Sequence, residues 1–188
     1  MKLPRLIVIA APSGAGKTTL CDKLLREFEG ELVLSISSTT RPPRGAEKHA
    51  REYFFLSAPE FEQAVAAGRF AEWARVHGNY YGTSKDVLEA SFQAGKSVLL
   101  DIDVQGAHSL AQSFPDRCVR IFIAPPNLEA LEARLRARAT ETEESIARRM
   151  RNAREEMARQ HEFDRIIVND DLDRAYAELK ALVAEKLR

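Results

Sequence analysis

Cysteine is scarce in this 188-residue chain, with only Cys21 and Cys118 present. Two cysteines make no disulfide framework, which excludes a stapled secreted scaffold and points to a reducing, cytoplasmic setting. Net charge is missing as well: 28 basic and 28 acidic residues cancel. The chain thus offers no overall basic field for nucleic acid, and none is expected as a partner. Long apolar runs are also lacking. Leu6 to Ala11, the longest near the start, is far short of the roughly 20 residues that span a bilayer. It is short for a secretory apolar core and no convincing cleavage site follows, so neither a targeting segment nor a membrane partner is expected. Sequence repeats and long linkers are absent too. With 45% hydrophobic and 30% charged residues, the composition is that of one globular domain and not of a disordered chain.

What is present is an alternation of strands and helices. Leu6-Ile7-Val8-Ile9-Ala10 is a continuous apolar run of the kind that forms a strand buried on both faces. Residues 18–28 predict a helix with Leu20, Leu24 and Leu25 on one face. Residues 97–103 read as a strand, 104–114 as a helix and Cys118–Ala124 as a strand again. Pro125-Pro126 then stops the chain, and Asn127 suits the N-cap of a helix carrying Leu128, Leu131 and Leu135. Residues 165–169 read as another short buried strand, and Leu172, Ala175, Leu179, Leu182 and Val183 mark a last helix.

This repetition predicts an α/β fold, a parallel sheet flanked by helices. Two stretches interrupt it. Residues 35–83, rich in aromatic and polar side chains, are expected to form a small mixed α+β insertion, and the arginine-dense residues 138–161 a mobile helical lid. The core is then residues 1–34, 84–137 and 162–188.

Between the first strand and the first helix lies Ala11-Pro12-Ser13-Gly14-Ala15-Gly16-Lys17-Thr18. It fits the phosphate-loop pattern Gly-x-x-x-x-Gly-Lys-Ser/Thr everywhere except Ala11. Glycines permit positive φ and let backbone N–H groups approach phosphate oxygens, and the helix N-terminus adds partial positive charge. Lys17 is placed to reach the terminal phosphates and the Thr18 hydroxyl to ligate Mg²⁺. Ala11 precedes a proline, which favours extended backbone, so glycine is not required there. The loop implies a nucleoside triphosphate without saying which reaction follows.

Downstream, Ser37-Ser38-Thr39-Thr40-Arg41-Pro42-Pro43-Arg44-Gly45 sets two arginines three residues apart on a proline-stiffened loop. Arginine forks suit a dianionic monophosphate. Tyr53, Glu72-Trp73-Ala74, Asn79-Tyr80-Tyr81-Gly82-Thr83, Leu100-Asp101-Ile102-Asp103-Val104-Gln105-Gly106, Ile123-Ala124-Pro125-Pro126, Thr140 to Ile146 and Ile167-Val168-Asn169-Asp170-Asp171 follow in order. In these motifs the chain resembles the guanylate kinases, over essentially its whole length. The resemblance implies a P-loop fold with a core, a GMP-binding insertion and a lid. It also implies ATP-dependent phosphorylation of GMP and dGMP to GDP and dGDP.

By the same resemblance, Arg41, Arg44, Tyr53 and Tyr81 hold the GMP phosphate, while Ser37, Glu72, Thr83 and Asp103 contact guanine. Ala11 to Thr19, with Asn169 on the adenine side, bind ATP. Arg134, Arg138 and Arg149 face the phosphates with Lys17. The chemistry of the residues agrees. Guanine presents N1–H and an exocyclic amine side by side, and one carboxylate accepts from both, whereas adenine has no such donor pair. Asp101, at the carboxyl end of a buried strand, stands where ligands of open parallel sheets bind and is the candidate to support Mg²⁺ with Thr18. Gly106 would let the turn after it approach a nucleotide closely. Arg134 and Arg138 are four apart on one helical face, and Thr142 with Glu143-Glu144 suits the start of the next helix. Arg151 and Arg154 read as surface partners of Glu141, Glu155 and Glu156.

Ala11, Ala50 and Ala139 stand where the family often has glycine, and the last would stiffen the lid hinge. A catalytically silent binding module of the same family is the rival reading, opposed by Lys17, Thr18 and the lid arginines. A kinase for another monophosphate is opposed by the guanine-type polar set. Monomer and homodimer both remain open.

Overall fold

The computed structural model describes residues 3–76, 78–137 and 142–188. Its first strand, β1 (Leu6–Ala10), is buried at every position, as its apolar run requires. The chain turns through the phosphate loop into α1 (Lys17–Glu27) and returns as the short β2 (Leu32–Leu34). Next come β3 (Ser38–Thr39), β4 (Phe54–Phe55), α2 (Ala58–Ala66), β5 (Phe70–Val76) and β6 (Asn79–Ser84). The alternation resumes with α3 (Lys85–Gln93), β7 (Ser97–Asp101), α4 (Val104–Ser113), β8 (Cys118–Ala124) and α5 (Leu128–Ala137). Then α6 (Glu143–Ala158), a single 3-10 turn at Gln160–Glu162, β9 (Arg165–Val168) and α7 (Leu172–Lys186) complete the chain.

Five parallel strands make one sheet in the order β2-β7-β1-β8-β9. Because side chains alternate across a strand, β1 feeds two cores. Ile7 and Ile9 pack with Leu20 and Leu24 of α1 and with Leu179 and Val183 of α7. Leu6 and Val8 pack on the other face with Leu88 of α3 and with Ala107 and Leu110 of α4. β7 ends at Asp101, paired opposite Ile9, so the carboxylate emerges beside the start of the phosphate loop.

A second sheet, ordered β4-β3-β6-β5, lies within the interrupting stretch. Its α2 begins in a reciprocal cap between Ser57 and Glu60. The pairing of β5 with β6 slips between Phe70 and Glu72, and a slip of this kind re-aims the side chains after it. Ala71 turns into the core beneath α4 while Glu72 is buried as well. In the arginine-dense stretch, α6 lies against α5 through Leu131, Leu135, Ile146, Met150 and Ala153.

Three details differ from the sequence reading. Residues 102 and 103 are not strand: Asp103 is the N-cap of α4, its carboxylate accepting from the Gly106 N–H at 2.7 Å. The strand expected over 165–169 stops at Val168 and is buried only at Ile167, because it forms the sheet edge and has a neighbour on one side alone. The short β2 and the helices α2 and α3 are elements that the sequence reading does not place.

Ala50 has φ 62° and is the one non-glycine among the described residues in the left-handed region. Its N–H donates to the Tyr53 carbonyl at 2.9 Å, closing the turn that presents Tyr53. A Cβ at positive φ is strained, and relief outweighs the extra freedom glycine gives the unfolded chain. Ala50→Gly should therefore stabilise the fold by about 0.5–1 kcal/mol, read as a higher urea midpoint at unchanged slope. A lower midpoint would contradict the strain.

Candidate active site

The loop between β1 and α1 is shaped by two glycines in the left-handed region, Gly14 at φ 99° and Gly16 at φ 90°. Ala11 is not among the residues of positive φ, as its place before Pro12 requires. Leu131 and Leu135 of α5 close on Gly14, where a Cβ would meet both at 3.1 Å. Gly16 is tighter still, because a Cβ there would stand 2.3 Å from the Asn169 amide nitrogen. That nitrogen donates to the Ala15 carbonyl at 2.7 Å from a fully packed position just beyond β9. Asn169, expected on the adenine side, thus has its amide N–H committed to the loop itself.

The lid-set arginines converge on the same place. Arg134 donates to the Asn169 backbone carbonyl at 2.8 Å, and Arg149 to the Ser13 hydroxyl at 2.7 Å. Arg138, with Ala139 and Glu141, lies outside the described residues. Lys17 is ion-paired with Asp101, so the ammonium and the carboxylate at the strand end wait side by side.

Across the cleft, Arg41 is buried and its guanidinium donates to both oxygens of Glu47 at 2.9 Å. Glu47 also accepts from the Arg44 N–H at 2.8 Å, so one carboxylate holds both ends of the two-arginine loop. The Arg41 guanidinium lies 5.3 Å from the Tyr53 ring centroid, and Tyr53 meets Tyr81 edge-on at 6.1 Å. No role was read for Glu47 from sequence, although its place three residues after Arg44 was a signal.

Glu72 is buried, with one carboxylate oxygen accepting from the Thr83 hydroxyl at 2.6 Å. Burial pushes its carboxyl up to about 7, with Asp103 adding to the rise and the Thr83 hydrogen bond opposing it. Asp103 stands beside it as the cap of α4.

The phosphate loop, Asp101, Arg44, Tyr53, Tyr81, Glu72 and Asp103 border one continuous cleft of about 590 Å³, a volume within the range of small-ligand sites. Ala11, Pro12, Ser13, Gly14, Gly16, Lys17, Thr18 and Thr19 line one end, and Ser37, Arg44, Tyr53, Glu72, Tyr81 and Asp103 the other. Ala15, Arg41, Thr83 and Asn169 stand behind that lining, buried. Glu156 lines the cleft too, which corrects its sequence reading as a surface partner of Arg151 and Arg154. Burial pushes its carboxyl up to about 7, with nearby Lys17 pulling it down. Its position seven residues after Arg149, hence on the same face of α6, was the available sign.

Among the described residues, no three His, Cys, Asp or Glu side chains cluster to hold a metal ion. Thr18 and Asp101 nevertheless supply a hydroxyl and a carboxylate to one cleft. That is the donor set expected where Mg²⁺ takes one or two protein ligands and the rest from phosphate and water.

The sequence pattern of the family described as Guanylate kinase matches residues 3–186. The chain is 50% identical over 183 residues to a guanylate kinase of Idiomarina loihiensis, spanning 96% of this chain and 86% of that one. It is 48% identical over 184 residues to a guanylate kinase of Symbiobacterium thermophilum, spanning 97% and 86%. The crystal structure of guanylate kinase from Anaplasma phagocytophilum aligns with a TM-score of 0.79 at 31% identity, covering 100% of this chain and 89% of that one. Nearly every residue takes part in these matches, and the chain belongs to the guanylate kinase family.

Proposed function

We propose that this chain transfers the terminal phosphoryl group of ATP to GMP or dGMP, giving GDP or dGDP, in the cytoplasm. The observation that carries the reading is a single cleft with a phosphate loop at one end and, at the other, a two-arginine loop beside a buried carboxylate. A binding module has no need for a phosphate-loop lysine with one arginine on the loop at Ser13 and a second on the Asn169 carbonyl.

Residues 1–34, 84–137 and 162–188 act as the core, 35–83 as the GMP-binding insertion and 138–161 as the lid. ATP lies with its phosphates on Ala11 to Thr19 and its adenine toward Asn169. Lys17 exchanges Asp101 for the phosphates. Thr18 and Asp101 would hold Mg²⁺, which when bound neutralises phosphate charge. Arg44, Tyr53 and Tyr81 take the GMP phosphate, and Arg41 joins them from its seat on Glu47. Glu72 accepts from guanine N1–H and the 2-amino group, while Ser37, Thr83 and Asp103 complete the base site. Arg134, Arg138 and Arg149 meet charge developing on the transferring group as the lid closes and excludes water. Phosphoryl transfer asks mainly for such positioning and neutralisation.

Lys17→Met should lower turnover by several orders of magnitude with the fold intact, since the ammonium acts mostly in the transition state. A coupled assay of GDP formation, with circular dichroism as the fold control, checks it. Near wild-type turnover would remove the phosphate-loop assignment.

The raised Glu72 carboxyl makes a signed pH effect. Below about 7 the free enzyme holds this group protonated, and a protonated carboxyl cannot accept both guanine donors. KM for GMP should rise about tenfold per pH unit below that point, while KM for ATP changes far less. The GMP phosphate, with its second pKa near ~6, and Glu156 titrate in any variant, so Glu72→Gln isolates the effect. In that variant KM for GMP should be higher throughout and its slope shallower. Parallel profiles for the two proteins would show that Glu72 does not read the base.

A further inference from the structure

Gly106 lies in the first turn of α4, two residues after its start at Val104. Alanine is the better helix former there, and Gly106 is not among the residues of positive φ. Backbone conformation therefore gives no reason for glycine. The reason lies across the cleft wall. A Cβ at Gly106 would stand 2.7 Å from the Glu72 Oε2, 3.3 Å from its Cδ and 3.4 Å from the Asp103 Oδ1. The Glu72 carboxylate leans on the bare α-carbon of the helix.

It cannot lean elsewhere at little cost. Its other oxygen, Oε1, is held by the Thr83 hydroxyl at 2.6 Å, and Thr83 is wholly buried on β6, in register with Glu72 on β5. The first turn of α4 does not back away, because Val104 and Ala107 on either side of Gly106 are buried in the cores. One oxygen is pinned by a hydroxyl and the other is seated against a glycine.

We infer that Gly106 is a specificity-determining position of the base site. Its missing side chain is the space in which the Glu72 carboxylate stands at the cleft wall, so that a Cβ there would push the carboxylate off the line on which it meets the donors of guanine. Resting on the proposed GMP-kinase reading, this assigns to a residue with no polar side chain a share in choosing the base. The nucleotide approach expected of Gly106 from sequence becomes an approach to Glu72.

The test is Gly106→Ala, assayed with ATP and with GMP, IMP or AMP as acceptor. IMP lacks the 2-amino group and so reports one of the two carboxylate contacts. kcat/KM for GMP should fall about ten- to a hundredfold, the worth of one charge-assisted hydrogen bond. The loss should fall on KM more than on kcat, and the preference for GMP over IMP should shrink. The melting temperature should fall modestly, because a pinned carboxylate is displaced, but KM for ATP should stay within about twofold and circular dichroism should show the fold intact, which separates the effect from damage to the fold. In a Glu72→Ala background there is no carboxylate to displace, so the same substitution should change kcat/KM for GMP by less than about threefold. Unaltered GMP-over-IMP preference in Gly106→Ala would overturn the inference, as would an equal loss in both backgrounds. Failure of the wild type to phosphorylate GMP would instead reject the functional reading beneath it.

Discussion

The five residues of β1 are wholly excluded from solvent, and the first four divide their side chains between two cores, one under α1 and α7 and one under α3 and α4. A strand so placed is the centre of its sheet, and its carboxyl end fixes where the phosphate loop begins. Each fully buried Leu, Ile or Val contributes roughly 1.5–3 kcal/mol, against a total stability of about 5–15 kcal/mol for a domain of this kind. The register then carries the site outward. Asp101 arrives opposite Ile9 on β7, and Asn169 arrives just past β9, where its amide reaches back to Ala15. Gly16 has no side chain because that amide occupies the space.

On this frame the cleft keeps its charges partnered while it waits for substrates. Lys17 rests on Asp101, Arg41 on Glu47, Arg149 on Ser13 and Arg134 on a backbone carbonyl. Each partner is an oxygen, the kind of group a phosphate replaces, so binding exchanges like for like and does not have to order free side chains. Glu156, which lines the cleft near Lys17, is pushed by burial toward neutrality near pH 7, which spares phosphates part of the repulsion they would otherwise meet.

Much of this was legible in the sequence where the physics is local. The β1 run, the glycine-lysine loop and the cap at Thr142 each depend on neighbours a few residues away, and the structure contains them as read. What escaped depends on pairing at a distance. Asn169 as a clamp on Ala15 becomes visible only once the elements are packed. Glu47 and Glu156 show in the sequence as spacings from Arg44 and Arg149 and gain their roles only with the partner and the cleft wall on view. The apolar run Val98-Leu99-Leu100 invites a strand that continues to Asp103, whereas the structure ends β7 at Asp101 and uses the Asp103 side chain as the N-cap of α4. The edge position of β9 depends on sheet order, which no strand's composition reveals by itself.

The proposed reaction requires one cleft that joins a triphosphate site to a monophosphate site that reads guanine. It is tested most directly by offering the purified chain ATP with GMP, dGMP, AMP, UMP and dTMP side by side and measuring kcat/KM for each. GMP should be used best, dGMP should follow, and AMP should be rejected by about 10⁴-fold or more, the discrimination reached when buried acceptors lose their donors. Comparable use of AMP and GMP, or turnover of none of the five, would contradict it.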